Sequence, residues 1–148
     1  MGTGSNALFL AERGYEVTGI DISAVAVERA RREAQERGLW LNAVCADLRS
    51  YKVPPRFFDV VLVFYYLQRD LCPQIAGALS AGGVLVFETF TTEQRQFGWG
   101  PAKDEHLLRP GELRGLFPGL EELVFKEGVE ESDRGRKAVA GLIARRMG

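Results

Sequence analysis

Gly2-Thr3-Gly4-Ser5-Asn6-Ala7, followed by Tyr15-Glu16-Val17-Thr18-Gly19-Ile20-Asp21, fits the pattern G-x-G-x-x-G/A with an acidic residue nineteen positions past its first glycine. Glycines let a backbone approach a ligand closely. A helix N-terminus offers unpaired N–H groups to an anion, and an ionised carboxylate accepts two hydroxyl bonds. The stretch therefore reads as a nucleotide-holding turn ahead of a helix, with Asp21 placed for a ribose. The bland alternative is a tight turn and a capping aspartate. A turn of this kind normally follows a strand, yet only Met1 stands in front of it. The expectation is a domain that lacks its N-terminal central strand. Either the natural start lies upstream, or rearrangement or a partner chain fills the gap, which leaves a homodimer among the arrangements open to it.

Outward from the turn, helix and strand patterns alternate, the signature of a parallel sheet covered by helices. Asn6 to Arg13 has helical apolar spacing, with Ser5 or Asn6 as capping oxygen and Gly14 as its stop. Tyr15 to Asp21 is a strand. Ser23 caps a helix from Ala24 to Arg37, whose charges of both signs mark a solvated face. Leu41 to Ala46 is a second strand, also ending on a carboxylate, Asp47. Phe58 to Tyr66 is apolar enough for a strand buried on both faces. Leu71 to Leu79 reads as helical, and Gly82-Gly83 turns the chain into the strand Val84 to Phe90. Thr91 to Arg109 shows no period, and a stretch of that length suggests a lid. Pro110 to Leu116 is a short helix. Leu120 to Lys126 and Lys137 to Ala144 form an antiparallel pair at the sheet edge, joined by a polar link, Glu127 to Arg136.

Composition sets the outer limits. A chain of 148 residues, 46% hydrophobic and 26% charged, suits one compact domain over residues 1–148. A formal charge of −1 provides no positive field for a nucleic acid. The longest apolar run, Val60 to Leu67, falls well short of the ~20 residues a membrane span needs, and no signal-peptide pattern is present. Cys45 and Cys72 lack metal-ligand spacing, so the plain reading is two reduced thiols in a cytoplasmic protein with no metal.

Two features point away from NAD. Asp47 ends the strand after Asp21, which sets two carboxylates side by side at the edge where ligands of open α/β sheets bind. One can hold a ribose and the other an adenine amino group. A terminal antiparallel pair is also foreign to an all-parallel dinucleotide sheet. At this point the residues resemble a family. GTGSNALFLAERGYEVTGIDIS at 2–23, CADL at 45–48, FDVVLVFYYLQRDL at 58–71, LSAGGVLVFETF at 79–90 and HLLRPGELRGLF at 106–117 resemble class I S-adenosylmethionine-dependent methyltransferases, nearest the small bacterial branch with tellurite-resistance-type enzymes. The resemblance implies an α/β, Rossmann-like, mostly parallel sheet flanked by helices. Its family order is 3-2-1-4-5-7-6 with the last strand antiparallel, here without the N-terminal central strand. It implies S-adenosyl-L-methionine as cofactor and methyl transfer to a small molecule or small anion. Residue by residue, it places Gly2, Thr3, Gly4 and Asn6 near the methionine end, Asp21 with Ile22 at the ribose, Asp47 with Leu48 at the adenine, and Phe64 with Tyr65 beside the methyl group. Ala81 replaces the usual proline ahead of the glycine pair, and the motif's leading acidic residue is absent. Two other readings stay open: an NAD-binding oxidoreductase, and a non-catalytic remnant or interaction domain.

Methyl transfer from a sulfonium is an in-line displacement with a neutral thioether leaving, so placement matters most and contributes ~7 to 11 kcal/mol. A base is needed only when the nucleophile carries a proton. The candidates are His106, the single histidine; Tyr65, after the central strand; Arg69, a cation suited to an anionic substrate; and Glu88, at a strand terminus. The structural alternatives are a surface or packing histidine for His106 and a helix-flanking salt bridge for Arg69; Glu88 could orient a substrate or shape the pocket, and Tyr66 and Leu67 beside Tyr65 read equally as core. Phe97 and Trp99 could close over a substrate.

Overall fold

The structure, a computed structural model, describes every residue except Thr3. It falls into two compact units, Met1–Lys52 and Val53–Gly148.

The first unit runs α1 (Ser5–Glu12), β1 (Val17–Asp21), α2 (Ala24–Glu36) and β2 (Leu41–Cys45). β1 and β2 are parallel, from Val17 opposite Leu41 to Asp21 opposite Cys45. Leu8, Ala11, Val17, Val27, Ala30, Ala34 and Ala43 form its core. The narrow alanine and valine stripe of α2 is what allows close packing on such short strands. Ser23 caps α2 as expected, its hydroxyl accepting from the Ala26 N–H at 3.2 Å. The α1 cap differs. Neither Ser5 nor Asn6 caps it; Gly4 occupies the cap position in the left-handed region, with φ 87°. This conformation brings the turn against α2, where a Cβ on Gly4 would lie 2.9 Å from the Cβ of Ala30. A glycine meets both the backbone and the space requirement there.

The second unit contains β3 (Phe58–Phe64), α3 (Cys72–Ala78), β4 (Leu79–Phe90), α4 (Glu112–Leu116), β5 (Glu121–Ser132) and β6 (Gly135–Arg145). Its sheet has the order β3-β4-β6-β5, with β3 and β4 parallel and the remaining pairs antiparallel. Leu85, Phe87, Leu107, Leu108, Leu113, Phe117, Val139 and Leu142 fill its core. Four expectations change here. Gly82-Gly83 does not lead into a strand that starts at Val84: both glycines lie inside β4, whose pairing with β3 shifts register between Phe58 and Val60. The link Glu127 to Arg136 is mostly strand: β5 and β6 continue to a tight turn at Asp133 and Arg134. β5 is an exposed edge strand, so it has no need of apolar alternation, and its charges discourage pairing with other chains. β3 is half-buried rather than sealed on both faces, and among the described residues only β4 pairs with it. Residues 91–109 form no loose lid. They contain two 3-10 turns, Thr92–Phe97 and Asp104–His106; Arg95 of the first donates to the Ala102 carbonyl at 2.8 Å and pairs with Asp104 of the second, and the first also carries wholly buried Gln94. Its Oε1 accepts from the Ala138 N–H at 2.8 Å, and its Nε2 donates to the Trp99 carbonyl at 3.0 Å.

In the expected seven-strand order, β2-β1 corresponds to 3-2 and β3-β4-β6-β5 to 4-5-7-6. Among the described residues no strand pairs with the second edge of β1 or of β3. The Asp21 carbonyl accepts from the Ala46 N–H on the β2 side, so the Ile20 carbonyl faces the other edge, where the Met1 amine donates to it at 3.0 Å.

Candidate functional site

In the first unit the glycine turn and its aspartate form one hydrogen-bonded knot. Asp21 Oδ2 accepts from the Gly2 N–H at 2.7 Å and from the Met1 amine at 3.2 Å, and Oδ1 accepts from the Ser23 N–H at 2.9 Å. Burial pushes the carboxyl pKa up, but the bonds from Ser23, Gly2 and the amine outweigh it and hold Asp21 below the usual carboxylate range. The aspartate thus shapes the turn and holds Ser23, the cap of α2, while staying ionised. A carboxylate has about four acceptor sites, so the knot leaves room for one further hydroxyl rather than two.

The parallel register sets Asp21 opposite Cys45, two residues before Asp47, so both carboxylates lie at the carboxyl edge of the strand pair. Asp47 is held by Arg49, whose Nη2 donates at 2.6 Å and whose backbone N–H donates at 2.9 Å. Arg49 lowers the Asp47 pKa. The pair is exposed to solvent, which screens it, so a ligand amino group can displace the arginine at little cost. Asn6 lies exposed in the first turn of α1, Ile22 is exposed just past β1, and Leu48 is half-buried beyond β2. Thr3 lies outside the described residues.

In the second unit the structure brings Tyr65 and Glu88 together and adds two lysines that sequence reasoning missed. Phe64, the last residue of β3, is opposite Glu88 of β4. Tyr65 follows in a left-handed conformation, φ 55°, with its backbone N–H donating to the Glu88 carbonyl at 2.8 Å. Its hydroxyl donates to Glu88 Oε1 at 2.9 Å and accepts from Lys137 Nζ at 2.6 Å. Lys126 Nζ reaches Glu88 Oε2 at 2.8 Å, and Glu130 bridges both lysines at 3.1 Å each. Burial pushes the Tyr65 phenol up, and it stays protonated. Burial likewise opposes the charges of Glu88 and Lys137, but their partners prevail: Glu88 lies below its usual range and Lys137 above. The rings of Tyr65 and Phe90 are 4.9 Å apart, and Trp99 meets Phe90 edge-on at 5.8 Å.

Lys126 reaches Glu88 by crossing β6 at Gly141, which is opposite both residues' positions in the ladder. A Cβ on Gly141 would lie 2.8 Å from Lys126 Cε. Gly141→Ala is therefore expected to displace the flexible lysine. Carboxyl titration by NMR checks this: Glu88 titrates at higher pH in the variant, while stability shifts by no more than about 0.5 kcal/mol.

Arg69 and His106 sit elsewhere. Arg69 takes the structural alternative: Nε donates to Glu112 Oε1 at 2.5 Å and Nη2 donates to the Leu107 carbonyl at 2.9 Å, tying the start of α3 to α4. The guanidinium, against a smaller effect of burial, holds the Glu112 carboxyl down at about 2. A carboxyl below its unfolded value adds stability above pH ~4.5 and loses it as pH falls toward 2. Acid unfolding is expected to become less steep over that range in Glu112→Gln, as read by circular dichroism. The His106 ring is exposed, 3.4 Å from the Glu105 carboxylate.

With this geometry in place, a family model described as a methyltransferase domain matches residues 1–83. The chain belongs to that family, the class I S-adenosylmethionine-dependent methyltransferases. Among sequence relatives, the chain is 30% identical over 105 residues to a ubiquinone biosynthesis O-methyltransferase of Idiomarina loihiensis, covering 67% of the chain and 43% of that protein. It is 29% identical over 92 residues to a tRNA 5-carboxymethoxyuridine methyltransferase of Escherichia coli, covering 57% of the chain and 35% of that protein. The chain thus matches less than half the length of these relatives. The crystal structure of TehB from Haemophilus influenzae has the same fold, with a TM-score of 0.80 at 18% identity, over 98% of this chain and 55% of that one.

Lys137 carried a faint signal in the sequence. It is the one charged residue in the run Lys137 to Ala144, at a position where an apolar strand would otherwise begin. Lys126 carried none, because its reach depends on Gly141 in another strand.

Proposed function

We propose that the protein transfers a methyl group from S-adenosylmethionine to a small molecule. The observation that carries this reading is the Gly2-Gly4 turn knotted to an ionised Asp21 at a strand's carboxyl end, in a chain of this family. When bound, the cofactor supplies an electrophilic methyl on sulfur. Asp21 accepts a ribose hydroxyl, Asp47 exchanges Arg49 for the adenine amino group, and the Gly2 and Gly4 backbone admits the methionine end. Tyr65 and Glu88 order the acceptor, and placement supplies most of the rate. An NAD-dependent reading is disfavoured by the antiparallel β6 beside β4. The cytoplasm is the proposed location. In its support, no helix among the described residues is long and apolar enough to cross a membrane, and both cysteines are free thiols.

Because one relative is named for a tRNA, acceptor class is the decisive test. With methyl-labelled S-adenosylmethionine and fractionated cell extract, label is expected in the small-molecule fraction. Label confined to RNA would contradict the small-molecule reading.

A further inference from the structure

We infer that Tyr65 positions a methyl acceptor bearing an N–H or O–H group, and that Lys137 and Glu88 are positioning residues that aim its hydroxyl. The inference rests on the methyl-transfer reading and adds the acceptor's chemistry. A hydroxyl has one proton and two lone pairs. Tyr65 gives its proton to Glu88 and takes one from Lys137, which leaves a single lone pair. That lone pair can meet a hydrogen-bond donor and nothing else. The lysine cannot turn toward an anion instead, since its three protons face Tyr65, Glu88 and Glu130. Arg69, the cation that suggested an anionic substrate, is committed to Glu112 and two carbonyls.

Two further observations point the same way. Among the described residues, Tyr65 and Arg56 are the only non-glycines with positive φ. A tyrosine held there is backbone strain of the kind that clusters at functional sites. Here the strain is fixed by the backbone bond to Glu88 and by Lys137, which arrives from a strand 72 positions along the chain. The cluster is also charge-balanced, two lysines against two glutamates, and keeps the phenol protonated, so it offers oriented hydrogen bonding without attracting an ion of either sign.

The test uses the full chain with S-adenosylmethionine and three probe acceptors: catechol, aniline and 2-mercaptoethanol. Release of S-adenosylhomocysteine is followed, and cofactor binding is measured separately by calorimetry. Catechol or aniline is expected to be methylated in preference to the thiol. Tyr65→Phe should raise KM for that probe about tenfold with little change in kcat, the size of one lost hydrogen bond. Lys137→Met should raise KM similarly and move the phenol's absorbance titration to higher pH, and Lys137→Arg should restore both. The inference is overturned if the thiol is preferred, if Tyr65→Phe leaves KM unchanged, or if neither protic probe is methylated by protein that binds the cofactor. A folded wild-type chain that binds no cofactor overturns the methyl-transfer reading and this inference with it.

Discussion

Asp21→Ala is expected to weaken S-adenosylmethionine binding by about 10- to 10²-fold, equivalent to one hydrogen bond to a charged group at ~1.5 to 3 kcal/mol. The carboxylate acts twice. It offers its remaining acceptor site to a ribose hydroxyl, and it holds the Gly2 N–H, the Met1 amine and the Ser23 N–H that shape the turn. Asp21→Asn separates the two roles. The amide oxygen keeps part of the turn's bonding but loses the charge, so the variant should fold like the parent while binding the cofactor at least tenfold more weakly. Calorimetry beside thermal melts distinguishes the two effects. Equal affinity in the parent and both variants would remove Asp21 from the cofactor site.

Gly4→Val is expected to give the largest loss of stability of any single change considered, ~2 to 5 kcal/mol, combining left-handed strain of ~1 to 2 kcal/mol with overpacking of ~1 to 3 kcal/mol. A side chain at Gly4 meets Ala30, which is wholly buried on α2, and the backbone at φ 87° cannot relax without moving α1. Such a loss is a large share of the ~5 to 15 kcal/mol available to a domain. Urea unfolding gives the value directly. A change below about 1 kcal/mol would show that the turn does not need a glycine.

The first unit was the more legible in the sequence because its signals are local. Ser23 precedes a helix whose inner stripe is Val27, Ala30 and Ala34, and an aspartate stands at the end of β1 and another just past β2. These patterns depend on residues close together in the chain, and the structure places them as the sequence suggests. What stayed hidden depends on strand order. Glu88 meets Lys126 across β6 because position 141 is glycine, and Lys137 meets Tyr65 because β6 lies beside β4. No spacing along the chain announces either contact. Gln94 was unreadable for another reason: a wholly buried polar side chain looks like a surface residue until its partners, Ala138 and Trp99, are known. The segment Glu127 to Arg136 reads as a loop because exposed edge strands can be built from charges. Arg69 was open to two readings, and its contacts with Glu112 and Leu107 favour the structural one.

The most direct test of the whole account is a calorimetric titration of the folded chain with S-adenosylhomocysteine, with NAD as control. The account predicts saturable one-to-one binding of S-adenosylhomocysteine, weakened in Asp21→Ala, and no heat with NAD. Saturable binding of NAD, or no binding of S-adenosylhomocysteine by protein shown to be folded, would contradict it.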